Sequence, residues 1–168
     1  MLFGIAHSAI GWALAVWNEQ GLCSVELGDH KEQLTALLKA RFPNEAVPPS
    51  NGESTKLFSK IIRALENPEN RFDYPLLLAG TEFQIQVWQA LQSIPPGQTV
   101  TYSELANQLG KPNAVRAVAN ACGANQLAVI VPCHRVVRSD GGLGGYRWGI
   151  ERKKTLLNRE AKLAAIVS

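Results

Sequence analysis

Histidine and cysteine are both scarce in this sequence, three of each, and methionine occurs once. An odd, widely spaced set of cysteines cannot build the disulfide framework of a small secreted domain, and it points to a reducing compartment. No apolar run approaches the ~18 residues that would suggest a membrane span. The N-terminus lacks the basic start and small-residue cleavage site of a secretory signal. No paired C-x-x-C occurs, which removes the usual structural zinc pattern. What remains is an ordinary soluble composition, 46% apolar and 18% charged, in a chain long enough for one large domain or two small ones.

The net charge of +3 conceals a division. Residues 1–90 carry 7 basic and 10 acidic side chains, whereas residues 91–168 carry 10 basic and 4 acidic. This asymmetry suggests that the second half meets a polyanion while the first serves as a scaffold; the alternative is a solvated basic surface.

Patterning follows the same division. "LFGIAHS", "GWALAVW" and "GLCSVEL" are short apolar or alternating runs with turn residues between them, the form of a β-meander. "HKEQLTALLKARF" places Leu34, Leu37, Leu38 and Phe42 at helical spacing before Pro43, and "STKLFSKIIRALENP" does so with Leu57, Ile61 and Leu65. Between them lies a polar, proline-rich loop, residues 42–54. Residues 1–79 are therefore expected to form an α/β scaffold domain, in which His7, His30 and Cys23 are incidental or structural. From residue 80 the character changes. Thr81 with Gln84 forms a capping box opening a helix that Pro95, Pro96 and Gly97 end. Thr101 with Glu104 forms a second box, opening a helix that Gly110 stops, and Pro112 is expected to open another helix reaching Cys122. Two short helices joined by a tight glycine-containing turn have the form of a helix-turn-helix. Val115, Val118, Ala119 and Cys122 would face the core. Asn113, Arg116 and Asn120, among Ala114, Ala117 and Ala121, would face outward. That small face with one long cation suits close approach to a minor groove of double-stranded DNA better than base reading in a major groove. The alternative is a helix pair packed in a core with an exposed arginine.

"QLAVIVPCHRVV" begins as a buried strand, and Pro132 should place Cys133 and His134 at its exit. Cysteine reacts as thiolate, and an imidazole that takes its proton makes that form accessible. Adjacent side chains on an extended chain point apart, so a bridging water or a local turn is expected between them. The base needs an orienting acceptor, and Glu160 on the helix "ERKKTLLNREA" is the foremost candidate among Glu104, Asp140, Glu151 and Glu160. Zinc binding is weak, because Cys122 and Cys133 are eleven residues apart without a second pair. A thiol protease leaves the basic helix pair unexplained. A redox thiol would want a resolving cysteine nearby, and nothing in the sequence suggests one. A nucleophilic thiol beside a DNA-binding element points to chemistry on a base taken out of the stack.

"PCHRV", preceded by Asn125, "TYSELA" and "VRAVA" and followed by "GGYRWGIERKKTLLNREA", resembles the O6-alkylguanine-DNA alkyltransferases from about Gly80 to Ala161, and more loosely over residues 1–79. In "GTEFQIQVWQALQSIP" and "KPNAVRAVANACGAN" it is most similar to the C-terminal domain of the bacterial Ada-type branch. That branch also carries a cysteine-rich zinc domain with no counterpart in this sequence, so either a single-function protein or a fragment is expected, and Met1 favours the first. The resemblance implies an RNase H-like α/β N-terminal domain and a C-terminal winged helix-turn-helix domain over residues 80–168. It implies single-use transfer of an alkyl group from guanine O6, with O4-alkylthymine as a further candidate substrate, to Cys133. His134, through water, and Glu160 would form the relay that deprotonates the thiol. Tyr102 would turn the nucleotide's phosphate and donate toward the leaving guanine, and Arg116 would fill the gap left by the flipped base. Asn125 would hold the turn before the active-site strand. Arg135 would buttress the domain interface beside the DNA, and Val136, Tyr146 and Arg147 would line the alkyl pocket. No metal or organic cofactor is implied. A monomer in a bacterial-type cytoplasm, associated with the nucleoid when bound to DNA, is expected.

Two departures stand out. Gln126 and Leu127 follow the asparagine where many relatives have proline, so that turn is expected to be less rigid. Trp148 stands where many relatives carry a small residue. It is expected at the pocket lip, slowing inactivation by a free O6-benzylguanine-type pseudosubstrate, with Trp148→Gly restoring it.

Overall fold

The computed structural model describes residues 1–44, 48–49 and 53–167. The expected proline-rich loop lies partly outside the described residues. The chain packs as two compact units, residues 1–77 with 126–130, and residues 78–125 with 131–168. The expected single cut after residue 79 did not anticipate the return of 126–130 to the first unit. The reason is backbone pairing: Val25 N donates to Gln126 O at 2.9 Å, and Ala128 N donates to Val25 O at 3.0 Å.

In the first unit β1 (Leu2–Ser8), β2 (Gly11–Asn18) and β3 (Gly21–Gly28) form the expected antiparallel meander in that order. Residues 13–17 of β2 are buried without interruption, so both faces of this strand are covered. Side chains alternate across a strand. Leu14 and Val16 meet Leu34 and Leu38 of α1 (Lys31–Arg41). On the other face Trp17 stacks on Phe58 of α2 (Glu53–Glu66), with ring centroids 5.9 Å apart. Phe58 lies so close to Gly4 that a Cβ there would stand 2.5 Å from its ring, which requires glycine at this crossing.

The second unit opens with α3 (Glu82–Leu91), capped by the Thr81–Gln84 box. β4 (Val100–Thr101) leads directly into α4 (Tyr102–Gln108), where the Thr101–Glu104 box forms as expected. Such caps each contribute about 1 kcal/mol. The next helix, α5, spans Val115–Gly123 and starts three residues later than expected. Pro112 and Asn113 belong to the preceding turn, which Lys111 O closes by accepting from Ala114 N at 2.9 Å. Ala121, expected on the outer face, is buried, and its carbonyl accepts from Trp88 Nε1 at 2.8 Å, tying α5 to α3. Arg116, Ala117 and Asn120 remain exposed.

The expected strand before Cys133 is absent. After one bridge at Leu127 the chain turns, with Val129 at φ 68° and tight hydrogen bonds from Ile130 N to Ala128 O and from Cys133 N to Val131 O. A β-branched residue at positive φ costs on the order of 1–3 kcal/mol. An apolar run reads the same whether it is pleated or folded into buried turns, so periodicity could not separate the two. Cys133–Arg135 then form a single 3₁₀ turn, followed by β5 (Val136–Val137), parallel to β4, and by α6 (Ile150–Val167).

Candidate active site

The 3₁₀ turn answers the question that adjacency raised. At ~120° per residue, Cys133, His134 and Arg135 fan out in three directions, each toward a different partner. All three are buried.

His134 meets α6. Its Nε2 lies 2.8 Å from Glu160 Oε1. Arg135 closes on the same carboxylate, Nε donating at 3.2 and 3.0 Å and Nη2 at 2.8 Å, while Nη1 donates to Ile94 O at 2.6 Å. Burial alone would raise the Glu160 carboxyl, but the hydrogen bonds from His134 and Arg135 win and hold it down at about 2. Glu160 is therefore ionised and can only accept, which requires the proton of neutral His134 to sit on Nε2. Burial, the largest influence, lowers the pKa of His134 and keeps the ring neutral. Its Nδ1 is left as a lone-pair acceptor, buried and without a hydrogen-bond partner among the described residues. A neutral imidazole with a fixed tautomer and a free basic nitrogen is what a general base requires.

Cys133 faces a different way. Its Sγ accepts from Asn125 Nδ2 at 3.3 Å, and the same amide donates to Val131 O at 2.9 Å, clamping the turn on both sides of Pro132. Burial pushes the thiol up to about 11, and Asn125, Lys153 and Arg147 pull against that rise. The sulfur opens on a cavity of about 190 Å³ lined by Tyr102, Ala119, Cys122, Gly123, Cys133, Gly145, Tyr146 and Arg147. Burial likewise raises the Tyr102 hydroxyl to about 12, so it stays a proton donor at neutral pH. Gly144, at φ 75°, passes so close that a Cβ would stand 2.8 Å from that hydroxyl. Arg147 donates to Asn125 O at 3.0 Å.

Several expected residues lie elsewhere. Val136 does not line the cavity; it is buried in β5, and its carbonyl accepts from Lys153 Nζ at 2.7 Å. Trp148 is not at the lip. It is buried behind Tyr146, ring centroids 5.2 Å apart, with the Arg147 guanidinium over its own ring at 5.6 Å. Arg135 has its guanidinium turned inward on Glu160 and Ile94 rather than outward to a DNA surface. Arg116, Asn113 and Ala117 are exposed and Ala114 half-buried. Two residues escaped the sequence reading. Cys122, set aside on spacing, shares the cavity with Cys133. Lys153, one unremarkable cation of "ERKKT", is fully buried, its ammonium donating to Val136 O at 2.7 Å and to Gly145 O, on the cavity wall, at 3.2 Å. Nothing local distinguishes either one. Among the described residues, no three His, Cys, Asp or Glu side chains converge as a metal site, and no helix is long and apolar enough to cross a membrane.

A family model described as the DNA-binding domain of 6-O-methylguanine DNA methyltransferase matches residues 82–162. The chain is 47% identical over 160 residues to the bifunctional transcriptional activator/DNA repair enzyme Ada of Escherichia coli, covering 95% of this chain but 45% of Ada. It thus spans less than half the length of that relative. It is 40% identical to a methylated-DNA–protein-cysteine methyltransferase of Methanosarcina barkeri, covering 95% of this chain and 97% of the relative. The fold matches a crystal structure of Mycobacterium tuberculosis OGT in complex with DNA at a TM-score of 0.80 and 34% identity, covering 96% of this chain and 94% of the other. With a relative 40% identical matched over nearly the whole of both chains, this chain belongs to the methylated-DNA–protein-cysteine methyltransferase family.

Proposed function

We propose that the protein repairs double-stranded DNA by moving an alkyl group from O6 of guanine to Cys133, once and irreversibly. The observation that carries the reading is the Glu160–His134 pair beside a buried thiol. The carboxylate fixes the tautomer, and His134 Nδ1 takes the Cys133 proton through a water. The thiolate displaces guanine from the alkyl carbon in line, and Tyr102 donates to the departing base. A thiolate is a poor leaving group from an alkyl carbon, so the thioether formed on Cys133 is not reversed and each molecule reacts once.

Cys133 is buried at a cavity of about 190 Å³, so the alkylated nucleotide must leave the duplex to reach the sulfur. The exposed Arg116 and small Ala117 support approach from the minor groove, Arg116 occupying the space of the flipped base. The architecture fits an RNase H-like first domain and a winged helix-turn-helix second domain, with α4 and α5 as the helix pair and the β4–β5 ladder with the loop after it as the wing. The protein acts as a monomer, in a bacterial cytoplasm, and O4-alkylthymine is its secondary substrate.

The test is mass spectrometry after incubation with a duplex bearing one O6-methylguanine. A single added methyl on the peptide containing Cys133, absent in Cys133→Ala, is expected. An unmodified thiol after complete duplex binding rejects the proposal.

A further inference from the structure

Tyr146 carries a buried hydroxyl for which the described residues offer no hydrogen-bond partner. Packing holds its ring in place. Trp148 lies edge-on behind it, ring centroids 5.2 Å apart, and the His134 ring stands across it at 6.4 Å and 82°. The Tyr146 carbonyl accepts from Gly149 N at 3.1 Å, tying the backbone to the start of α6. A buried hydroxyl left unpartnered destabilises a fold, and phenylalanine would fill the same space without that loss. The hydroxyl therefore calls for a use. A second orphan stands beside the same ring, His134 Nδ1, and Tyr146 also lines the cavity into which Cys133 opens. Water satisfies such sites, and a buried water typically makes about three hydrogen bonds. A relay from Cys133 to His134 accounts for only two of them.

Resting on the alkyl-transfer reading above, we infer that Tyr146 is a positioning residue of the relay, its hydroxyl supplying the third hydrogen bond that fixes the water between Cys133 and His134. The proton count closes. The thiol proton passes to the water oxygen while one water hydrogen passes to His134 Nδ1, leaving thiolate, water and imidazolium. The water keeps one further hydrogen and one further lone pair before and after, so its bond to a hydroxyl survives the transfer. Tyr146 neither gains nor loses a proton. Burial raises its hydroxyl well above the ordinary tyrosine value, and Cys133 and Glu160 add to the rise.

The other titratable and charged groups facing the thiol and this hydroxyl come from several elements. Tyr102 stands on α4, Cys122 on α5, Arg147 on the same loop, and Arg152 and Lys153 on α6. His134 meets Glu160 and Arg159 of α6, and Arg135 of its own turn. Tyr102 and Cys122, raised by burial to about 12, do not titrate near neutral pH, so a profile measured there follows Cys133 and His134.

The experiment compares wild type with Tyr146→Phe, which keeps the ring and removes one oxygen. Alkylation of Cys133 by iodoacetamide across pH reports the thiol, and single-turnover transfer from an O6-methylguanine duplex reports the reaction. Tyr146→Phe is expected to slow both on the order of tenfold at neutral pH, with recovery at higher pH, where hydroxide removes the thiol proton without the relay. The maximal transfer rate should fall, while the duplex concentration giving half of it stays unchanged. Unchanged iodoacetamide and transfer profiles overturn the inference, because the hydroxyl is then idle. A loss equal at every pH overturns it too, since the hydroxyl then acts on the substrate base and not on the proton. Should Tyr146→Phe not fold, NMR cross-relaxation with water in wild type decides: one long-lived water contacting both Tyr146 and His134 is expected, and its absence overturns the inference. A thiol that responds to Tyr146→Phe in iodoacetamide but never accepts methyl from DNA in wild type rejects the repair reading and leaves this one intact.

Discussion

Replacing Glu160 by glutamine removes one negative charge and leaves the shape of the side chain almost unchanged. In the native protein that carboxylate accepts from His134 Nε2 and from both Nε and Nη2 of Arg135. The amide presents one acceptor oxygen and one NH2 in place of two acceptors, so at least one of these donors faces another donor. With that NH2 toward His134, Arg135 would be left as a buried guanidinium holding a neutral amide oxygen and Ile94 O in place of a carboxylate. Breaking a buried pair by removing one charge costs about 3–5 kcal/mol. For a chain of this size that is a fall in thermal midpoint of roughly 6–20 °C. The pH dependence follows from the depressed native pKa of about 2 against an ordinary carboxylate near 4.5. The stabilisation is fully present above the unfolded value and is lost as pH falls through the native one. The gap between wild type and Glu160→Gln should therefore be constant from pH 7 to about 5 and close between about 4.5 and 2. Urea denaturation at several pH values measures it. Function should fail as well, because an amide NH2 turned toward His134 favours the tautomer protonated on Nδ1, removing the base. Loss of stability below 1 kcal/mol at pH 7, or transfer at the wild-type rate, would refute the reasoning.

Asn125→Ala removes the donor shared by Val131 O and Cys133 Sγ; it should cost about 1–3 kcal/mol and move iodoacetamide reactivity of Cys133 to higher pH. Gly144→Ala forces a Cβ to within 2.8 Å of the Tyr102 hydroxyl at a positive φ, so transfer kinetics should slow while duplex binding, measured by anisotropy, stays near wild type. Trp148→Gly is now expected to remove packing behind Tyr146 and to cost about 3–5 kcal/mol in denaturant titrations. A folded Trp148→Gly protein that reacts faster with O6-benzylguanine would restore the pocket-lip placement.

Local signals carried well where one residue's neighbours along the chain decide its role. The two capping boxes, the three meander strands and the face of α1 around Leu34 and Leu38 followed from residue type and spacing, because the competing forces there act within a turn or across a hairpin. The run before Cys133 misled, because apolar character reports burial and not backbone conformation. Trp148 misled in the same way: its proximity in sequence to Tyr146 said nothing of which side of that ring it would occupy.

By itself the sequence singled out a cysteine beside a histidine in a basic half with a helix pair, and Glu160 as the foremost candidate to orient that histidine. Only the tertiary structure decided how these groups are used. The 3₁₀ turn aims His134 at Glu160 and Cys133 at Asn125. Arg135 is drawn inward to the same carboxylate, and Cys122 is brought into the cavity of the sulfur from 11 positions away. The physical reason is that charge and hydrogen bonding act through space, and their strength depends on exclusion of water. Neither quantity exists for a side chain until the units have folded around it.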